Sequence, residues 1–227
     1  IFERAAARGK FVRPVAAMVD ESFLLEPEDQ PGHPDPHVWM DVKAWMAATD
    51  AVAIALCQAD PAGCKTYRKN AAAYTVELAE LDAYVAAVIA SIPKNQRVLV
   101  TAHDAFSYFG RAYGLEVMGI QGISTESEAG LADVSSLVVM LVNRRIPAVF
   151  VESSVPDKYV RALIEGAAAK GHTVVVGGEL FSDAMGRPGT WEGTYRGMID
   201  HNASTVARAL GGDVPTNGFR GHAPNEA

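Results

Sequence analysis

The stretch RVLVTAHDAFSYFGRAYGLEVMGI, residues 97–120, decides the fold class of this chain. Its first five residues are an apolar run typical of a buried strand, residues 104–114 predict a short helix that ends at a glycine, and residues 115–120 predict a second strand. Parallel strands need a crossover connection of this kind, which is usually a helix. The stretch therefore predicts an α/β fold.

The same alternation of helices and strands continues downstream. The sequence predicts a helix around residues 131–141, a strand at 148–152, a helix at 156–171, a strand at 172–177 and a last helix at 193–210. Short apolar strands that alternate with helices are typical of a doubly wound parallel sheet. We expect residues 93–210 to form a C-terminal α/β lobe, with a parallel four-stranded sheet flanked by helices.

A long helix is predicted upstream of this lobe. Apolar side chains recur there at intervals of four and three residues, at Tyr67, Ala71, Tyr74, Leu78, Leu81, Val85, Val88 and Ile92. About 26 residues at 1.5 Å each give a rod of ~39 Å, and Pro93 ends it. The flanking charge pattern of a coiled coil is missing. We therefore interpret residues 64–92 as a helix that links two lobes.

The first part of the chain carries weaker signals. Residues 11–18 predict a short buried strand, a polar and proline-rich stretch runs from 26 to 36, and Asp41 is predicted to cap a helix. We interpret residues 1–63 as the remnant of an N-terminal lobe. Residues 211–227 are rich in glycine, proline and polar residues, and we expect a flexible tail there.

Composition limits the function. Of the 227 residues, 49% are apolar, and the net charge of −7 argues against nucleic acid or an anionic membrane surface as a partner. We find no apolar run long enough to span a membrane and no signal-peptide pattern. Cys57 and Cys64 could form a local disulfide in an exported protein or stay as two thiols, and the sequence leaves both open.

Candidate metal ligands follow the predicted strands. His103 comes two residues after the strand at 97–101, and Glu152 ends the strand at 148–152. Asp183 follows the next strand through a loop expected to contain the two glycines at 177 and 178. Because ligands bind beyond the carboxyl ends of parallel strands, we expect these three side chains along one edge of the sheet. His37 precedes a helix in the earlier segment and could face them across a cleft.

Other interpretations of these residues stay open at this point. Glu152 could cap the following helix, and Asp183 could form a turn within its loop. Four further histidines are not expected to bind metal, because they lie in a solvated loop, a turn, a helix and the tail: His33, His172, His201 and His222. The sequence contains none of the motifs HExxH, GxSxG, GxGxxG or the P-loop, which argues against the enzyme classes that these motifs define.

Several longer phrases carry a family resemblance. They are DPHVWMDVK at 35–43, the run from Arg97 to Gly130, VFVESSVP at 149–156, GGELFSDAMG at 177–186 and EGTYRGMIDHN at 192–202. Together they resemble the metal-binding substrate-binding proteins of bacterial ABC transporters, of the zinc- and manganese-binding TroA type. The resemblance extends from about residue 1 to residue 210.

This resemblance implies two α/β lobes joined by one long helix, with a metal ion between the lobes. Carried over residue by residue, it implies the metal ligands His37, His103 and Asp183. It gives Glu152 no ligand role, so we expect this residue to support the structure or a neighbouring ligand. The family's first histidine would lie upstream of Ile1. The first lobe is therefore expected to be incomplete, with His33 a weak substitute ligand, and the sequence leaves open whether the chain is a fragment.

The resemblance also implies a function. We expect capture of Zn²⁺ or Mn²⁺ as transported cargo, in the periplasm or at the outer face of the cytoplasmic membrane, and delivery to an ABC permease. The protein is expected to act as a monomer and not as an enzyme. One alternative is a surface adhesin. The other is a metal-dependent hydrolase with an activated water, for which Asp104 or Glu152 could serve as the base.

Overall fold

The computed structural model describes residues 2–27, 32–123 and 130–222. The chain divides into two compact units, Ile1–Asp82 and Ala83–Ala227. The helices are Phe2–Ala7 (α1), Val42–Ala59 (α2), Cys64–Ala90 (α3), Ser107–Tyr113 (α4), Leu131–Arg144 (α5), Lys158–Ala169 (α6) and Tyr195–Ala209 (α7). The strands are Val98–His103 (β1), Glu116–Gln121 (β2), Ala148–Glu152 (β3) and Val175–Leu180 (β4). None of the described helices is long and apolar enough to cross a membrane.

The first unit contains α1, α2 and α3 as far as Asp82. Asp41 caps α2 as predicted, because its carboxylate accepts hydrogen bonds from the backbone N–H groups of Lys43 and Ala44. At the other end of α2, Cys57 and Cys64 form a disulfide, which resolves the alternative that the sequence left open. The bond joins the end of α2 to the start of α3.

The predicted strand at 11–18 is wrong. Residues 16–18 form a single 3-10 turn, and Phe11 is 49% exposed. A strand is stable only when a neighbour accepts and donates its backbone hydrogen bonds, and Pro14 lacks a backbone donor. In the described part of the first unit no other strand lies beside this segment. Its apolar residues alone do not make it extended.

The long helix α3 agrees with the predicted periodicity. It has 27 residues, which corresponds to ~40 Å at 1.5 Å per residue. The predicted apolar stripe is buried from its middle to its end, at Leu78, Leu81, Val85 and Val88. The helix ends at Ala90, two residues before the predicted end and three before Pro93.

The second unit contains two parallel strand pairs. β1 pairs with β2, with Val98 opposite Glu116 and His103 opposite Gln121, and β3 pairs with β4. The α/β class is as predicted, but the four strands form two two-stranded ladders in the described residues, where the sequence predicted one sheet. At the end of β1 the N–H of His103 donates to the side-chain carboxylate of Glu152 on β3, where a continuous sheet would use a backbone carbonyl.

Strand β4 begins three residues later than predicted. Gly177 and Gly178 lie inside the strand, so the expected glycine loop before Asp183 is wrong. A Cβ atom on Gly177 would lie 2.7 Å from Ala209 and from the ring of Phe150. The glycines therefore allow α7 and β3 to pack closely against β4. Asp183 follows the end of β4 after only two intervening residues.

A buried aromatic residue anchors the segment after α7, whose other described residues are mostly exposed. Phe219 is buried, and its ring lies 5.4 Å from the ring of Tyr84 and 6.5 Å from that of Trp191. His222 stacks on Trp191 with the ring centroids 3.8 Å apart. Residues 223–227, which complete the predicted flexible tail, lie outside the described residues.

Candidate metal centre

His103 ends β1 with a carboxylate behind its ring. The imidazole is buried, its Nδ1 lies 2.6 Å from Oε2 of Glu152, and its backbone N–H donates to Oε1 of the same carboxylate at 2.8 Å. The hydroxyl of Thr101 donates to the backbone carbonyl of His103, which fixes the strand end. A carboxylate at one ring nitrogen sets the tautomer and orientation of a ligating histidine. A metal would therefore bind His103 through Nε2.

Asp183 faces that nitrogen. Its Oδ2 lies 3.6 Å from Nε2 of His103, which is beyond hydrogen-bonding distance. Two ligand atoms at about 2.0–2.2 Å from one ion lie roughly 3.3–3.6 Å apart at tetrahedral angles. The spacing thus fits two neighbouring ligands of one cation. The Asp183 side chain is 41% exposed, and the hydroxyl of Ser154 donates to the same Oδ2 at 3.3 Å.

The electrostatics of this pair favour a positive charge. Burial lowers the pKa of His103, but the contact with Glu152 and the negative charges of Glu152, Asp183 and Asp104 raise it. The net result is a pKa above the ordinary histidine value. Three carboxylates that stabilise a protonated imidazole in the metal-free protein would also stabilise a cation that replaces the proton.

His37, in the first unit, has a similar arrangement. Oδ1 of Asp35 accepts a hydrogen bond from the His37 backbone N–H at 2.9 Å and lies 2.7 Å from Nδ1 of the ring. Both side chains are buried, and the rings of His37 and Trp39 form an edge-to-face pair with their centroids 5.3 Å apart. The backbone N–H of Asp35 donates a hydrogen bond to the carbonyl of Leu25, which ties this turn to the preceding segment. A metal would therefore bind His37 through Nε2 as well.

The sequence prediction missed Asp35. The signal was present in the order Asp35-Pro36-His37, because an aspartate can hydrogen-bond the backbone two residues ahead, and proline fixes the turn between them. Glu152, which placement alone had suggested as a ligand, contacts the Nδ1 side of the His103 ring. That position suits a residue that supports a ligand.

The other predicted non-ligands have different surroundings. His33 is exposed in its loop. Nε2 of His172 contacts the carbonyl of Ile146 at 2.8 Å, and Nε2 of His201 contacts that of Glu179 at 2.9 Å. Of the predicted ligands, the second unit thus places His103 and Asp183 side by side, and His37 belongs to the first unit.

The donor set limits the metals that fit. Both cysteines are in the disulfide, so the candidate ligands are imidazole nitrogens and carboxylate oxygens. Zn²⁺ binds such donors readily, and Mn²⁺ and Fe²⁺ accept them, whereas Cu⁺ prefers softer sulfur ligands. The buried imidazole of His103 and the carboxylate oxygen of Asp183 thus offer two adjacent donor atoms of the kind that a divalent cation binds.

Comparison with known proteins identifies the family. The family described as "Zinc-uptake complex component A periplasmic" matches residues 2–209, and the chain belongs to this family. The chain is 52% identical over 176 residues to the zinc-binding protein TroA of Treponema pallidum and, over the same length, to the manganese-binding lipoprotein MntA of Bacillus subtilis. These matches cover 78% of this chain and 57% and 58% of the two relatives.

A more distant relative and a solved structure agree. The manganese ABC transporter substrate-binding lipoprotein PsaA of Streptococcus pneumoniae is 30% identical over 190 residues, which are 84% of this chain and 60% of PsaA. The structure of the periplasmic zinc-binding protein TroA from Treponema pallidum matches with a TM-score of 0.85 and 47% identity, over 91% of this chain and 74% of that one. The predicted family and α/β fold class are confirmed. The chain spans less than two thirds of the length of these curated relatives.

Proposed function

We propose that this chain is the metal-binding part of an extracytoplasmic solute-binding protein, which captures Zn²⁺ or Mn²⁺ and delivers it to an ABC permease. The observation that carries the proposal is the 3.6 Å separation of His103 Nε2 and Asp183 Oδ2, with Glu152 behind the imidazole. Relatives named for zinc binding, manganese binding and an ABC transporter support it.

His37, His103 and Asp183 are the proposed protein ligands. The carboxylate at Nδ1 of each histidine supports this assignment, because it commits both rings to binding through Nε2. The metal is cargo, so the site must hold it firmly and still release it. A water molecule or a further side chain completes the coordination of a four-coordinate ion.

The disulfide supports a location outside the cytoplasm. Disulfides such as Cys57–Cys64 persist in the periplasm and at cell surfaces, and they are rare in the reducing cytosol. The proposed location is the periplasm or the outer face of the cytoplasmic membrane. The protein acts there as a monomeric carrier and not as an enzyme, with the permease as its protein partner.

The donor set also orders the metals by affinity. Imidazole and carboxylate ligands bind Zn²⁺ more tightly than Mn²⁺ in the general order of divalent metals. Zn²⁺ is therefore the tighter ligand in the test tube. The metal carried in the cell depends in addition on its supply.

The test is a calorimetric titration of Zn²⁺, and then of Mn²⁺, into the 227-residue protein stripped of metal with EDTA. We expect one ion per chain and weaker binding in Asp183→Ala. The matched control is Glu165→Ala, which removes an exposed carboxylate on α6 and should bind like the unaltered protein. Absence of binding in a sample that is folded by circular dichroism would refute the proposal for this chain.

A further inference from the structure

Two serine hydroxyls lie next to the candidate ligand Asp183. Ser154 is in the loop after β3, and its Oγ lies 3.0 Å from Oγ of Ser182. The same Ser154 hydroxyl is 3.3 Å from Oδ2 of Asp183, in a geometry in which the hydroxyl donates and the carboxylate accepts. Ser182 is buried, although Ser154 is exposed. The hydroxyl of the buried Ser182 thus holds the hydroxyl of Ser154, which in turn contacts the carboxylate of Asp183.

The carboxylate oxygen that Ser154 contacts is the one that faces His103. Oδ2 of Asp183 is 3.6 Å from Nε2 of His103, whereas the Asp183 side chain as a whole is 41% exposed. A partly exposed side chain that must adopt one orientation to coordinate a metal loses rotamer freedom when the metal binds, and this loss opposes binding. A hydrogen bond that orients the carboxylate in the metal-free protein reduces this cost.

We propose that Ser154 is a positioning residue for the metal site, held in place by Ser182, which aims Oδ2 of Asp183 at the cation. This inference rests on the proposed function and deepens it. Ser154 does not touch the metal. It acts through Asp183, in the way that a carboxylate behind a ligating histidine acts through the ring.

The same hydrogen bond bears on metal preference. A carboxylate oxygen has two lone pairs, and Ser154 engages one of those on Oδ2, which favours binding of the metal through the other. One-oxygen binding suits four-coordinate Zn²⁺, whereas Mn²⁺ accepts more oxygen ligands and tolerates a carboxylate that binds through both oxygens. Loss of Ser154 should therefore weaken Zn²⁺ binding more than Mn²⁺ binding.

The experiment compares Ser154→Ala with the control Ser153→Ala, which removes the adjacent exposed hydroxyl. Competition titrations with a chelating dye would measure the affinity for Zn²⁺ and for Mn²⁺. We expect a loss of about 10-fold in Zn²⁺ affinity for Ser154→Ala, the lower end of the effect of supporting residues on metal sites. The loss for Mn²⁺ should be smaller, Ser153→Ala should change neither, and Ser154→Thr should restore Zn²⁺ binding because it keeps the hydroxyl.

Two further readouts separate positioning from a structural role. The melting temperature of the metal-free protein should be the same with and without Ser154, and the visible absorption of bound Co²⁺ should change in Ser154→Ala and return in Ser154→Thr. Equal Zn²⁺ affinity in Ser154→Ala and the unaltered protein would overturn the inference and leave the proposed function intact. Failure of the unaltered protein to bind metal would overturn both. If Ser154→Ala does not fold, Ser182→Ala provides the same test.

Discussion

Replacement of Glu152 by glutamine tests how the site controls its histidine. The carboxylate lies against two nitrogens of one residue: it accepts from the backbone N–H of His103 at 2.8 Å, and its other oxygen is 2.6 Å from the ring Nδ1. A glutamine side chain has one accepting oxygen and one donating NH₂ group. If its oxygen keeps the backbone N–H, its NH₂ group faces Nδ1 and requires that nitrogen to accept. The ring proton then moves to Nε2, the nitrogen that would bind the metal.

The size of the effect follows from this change of tautomer. In the variant the metal must displace the proton from Nε2, and the new hydrogen bond from the glutamine NH₂ to Nδ1 must break. The imidazole is also less basic, because the negative charge of Glu152 is gone. We expect Glu152→Gln to lose between about 10-fold and 100-fold in Zn²⁺ affinity, which corresponds to ~1.4–2.8 kcal/mol. The reverse orientation of the amide would point NH₂ at the backbone N–H and would also be unfavourable.

Two measurements check this prediction together. Dye-competition titration gives the Zn²⁺ affinity, and ¹⁵N NMR of the imidazole in the metal-free protein reports which ring nitrogen carries the proton. Glu165→Gln, on the exposed face of α6, is the control for loss of one carboxylate. If Glu152→Gln moved the proton to Nε2 and left the Zn²⁺ affinity unchanged, the reasoning would be refuted.

Three further predictions concern pH, the disulfide and a glycine. Because the pKa of His103 is raised, Zn²⁺ affinity measured over a pH series should begin to fall at a pH above the ordinary histidine range as the pH is lowered. A fall that begins only below that range would contradict this prediction. Replacement of Cys57 and Cys64 by serine should cost about 2 kcal/mol of folding free energy in urea unfolding, with unchanged Zn²⁺ affinity as the contrasting readout. Gly177→Ala should cost roughly 1–3 kcal/mol, measured in the same way, because the added methyl overlaps Phe150, whereas Gly122→Ala, whose methyl meets no atom within 4 Å, should cost less.

The regular elements were predictable where the apolar pattern alone determines them. The strand predicted at 97–101, observed at Val98–His103, follows from its apolar run, and the 27-residue helix α3 follows from its apolar periodicity. The strand predicted at 11–18 failed because a strand also depends on a neighbour, which local sequence does not reveal. The predicted bounds of β4 were wrong because glycines usually indicate a loop. Gly177 instead lies within the strand, where the absence of a side chain leaves room for Phe150 and Ala209.

The candidate site was predictable in its residue types and only partly in its geometry. The positions of His103 and Asp183 after strands predicted one edge of one lobe, and they lie together there. The contact of Glu152 with Nδ1 spans 49 residues of sequence, and its distance and direction come from packing. The role of Asp35 was local, and it would have been predictable from the geometry of aspartate turns.

The carboxylate behind His103 has a consequence for charge balance. Below its raised pKa, the imidazole of His103 carries a second ring proton, which Glu152, Asp183 and Asp104 stabilise, so the ring is positively charged in that pH range without metal. In that range, a divalent ion that binds at the proposed ligand atom Nε2 would displace a proton, which leaves to the buffer. The local charge then rises by one unit instead of two, and the measured heat of binding depends on the buffer that takes up the proton. Acidification acts in the opposite direction, so protonation of His103, a proposed ligand, would also favour release of a bound ion.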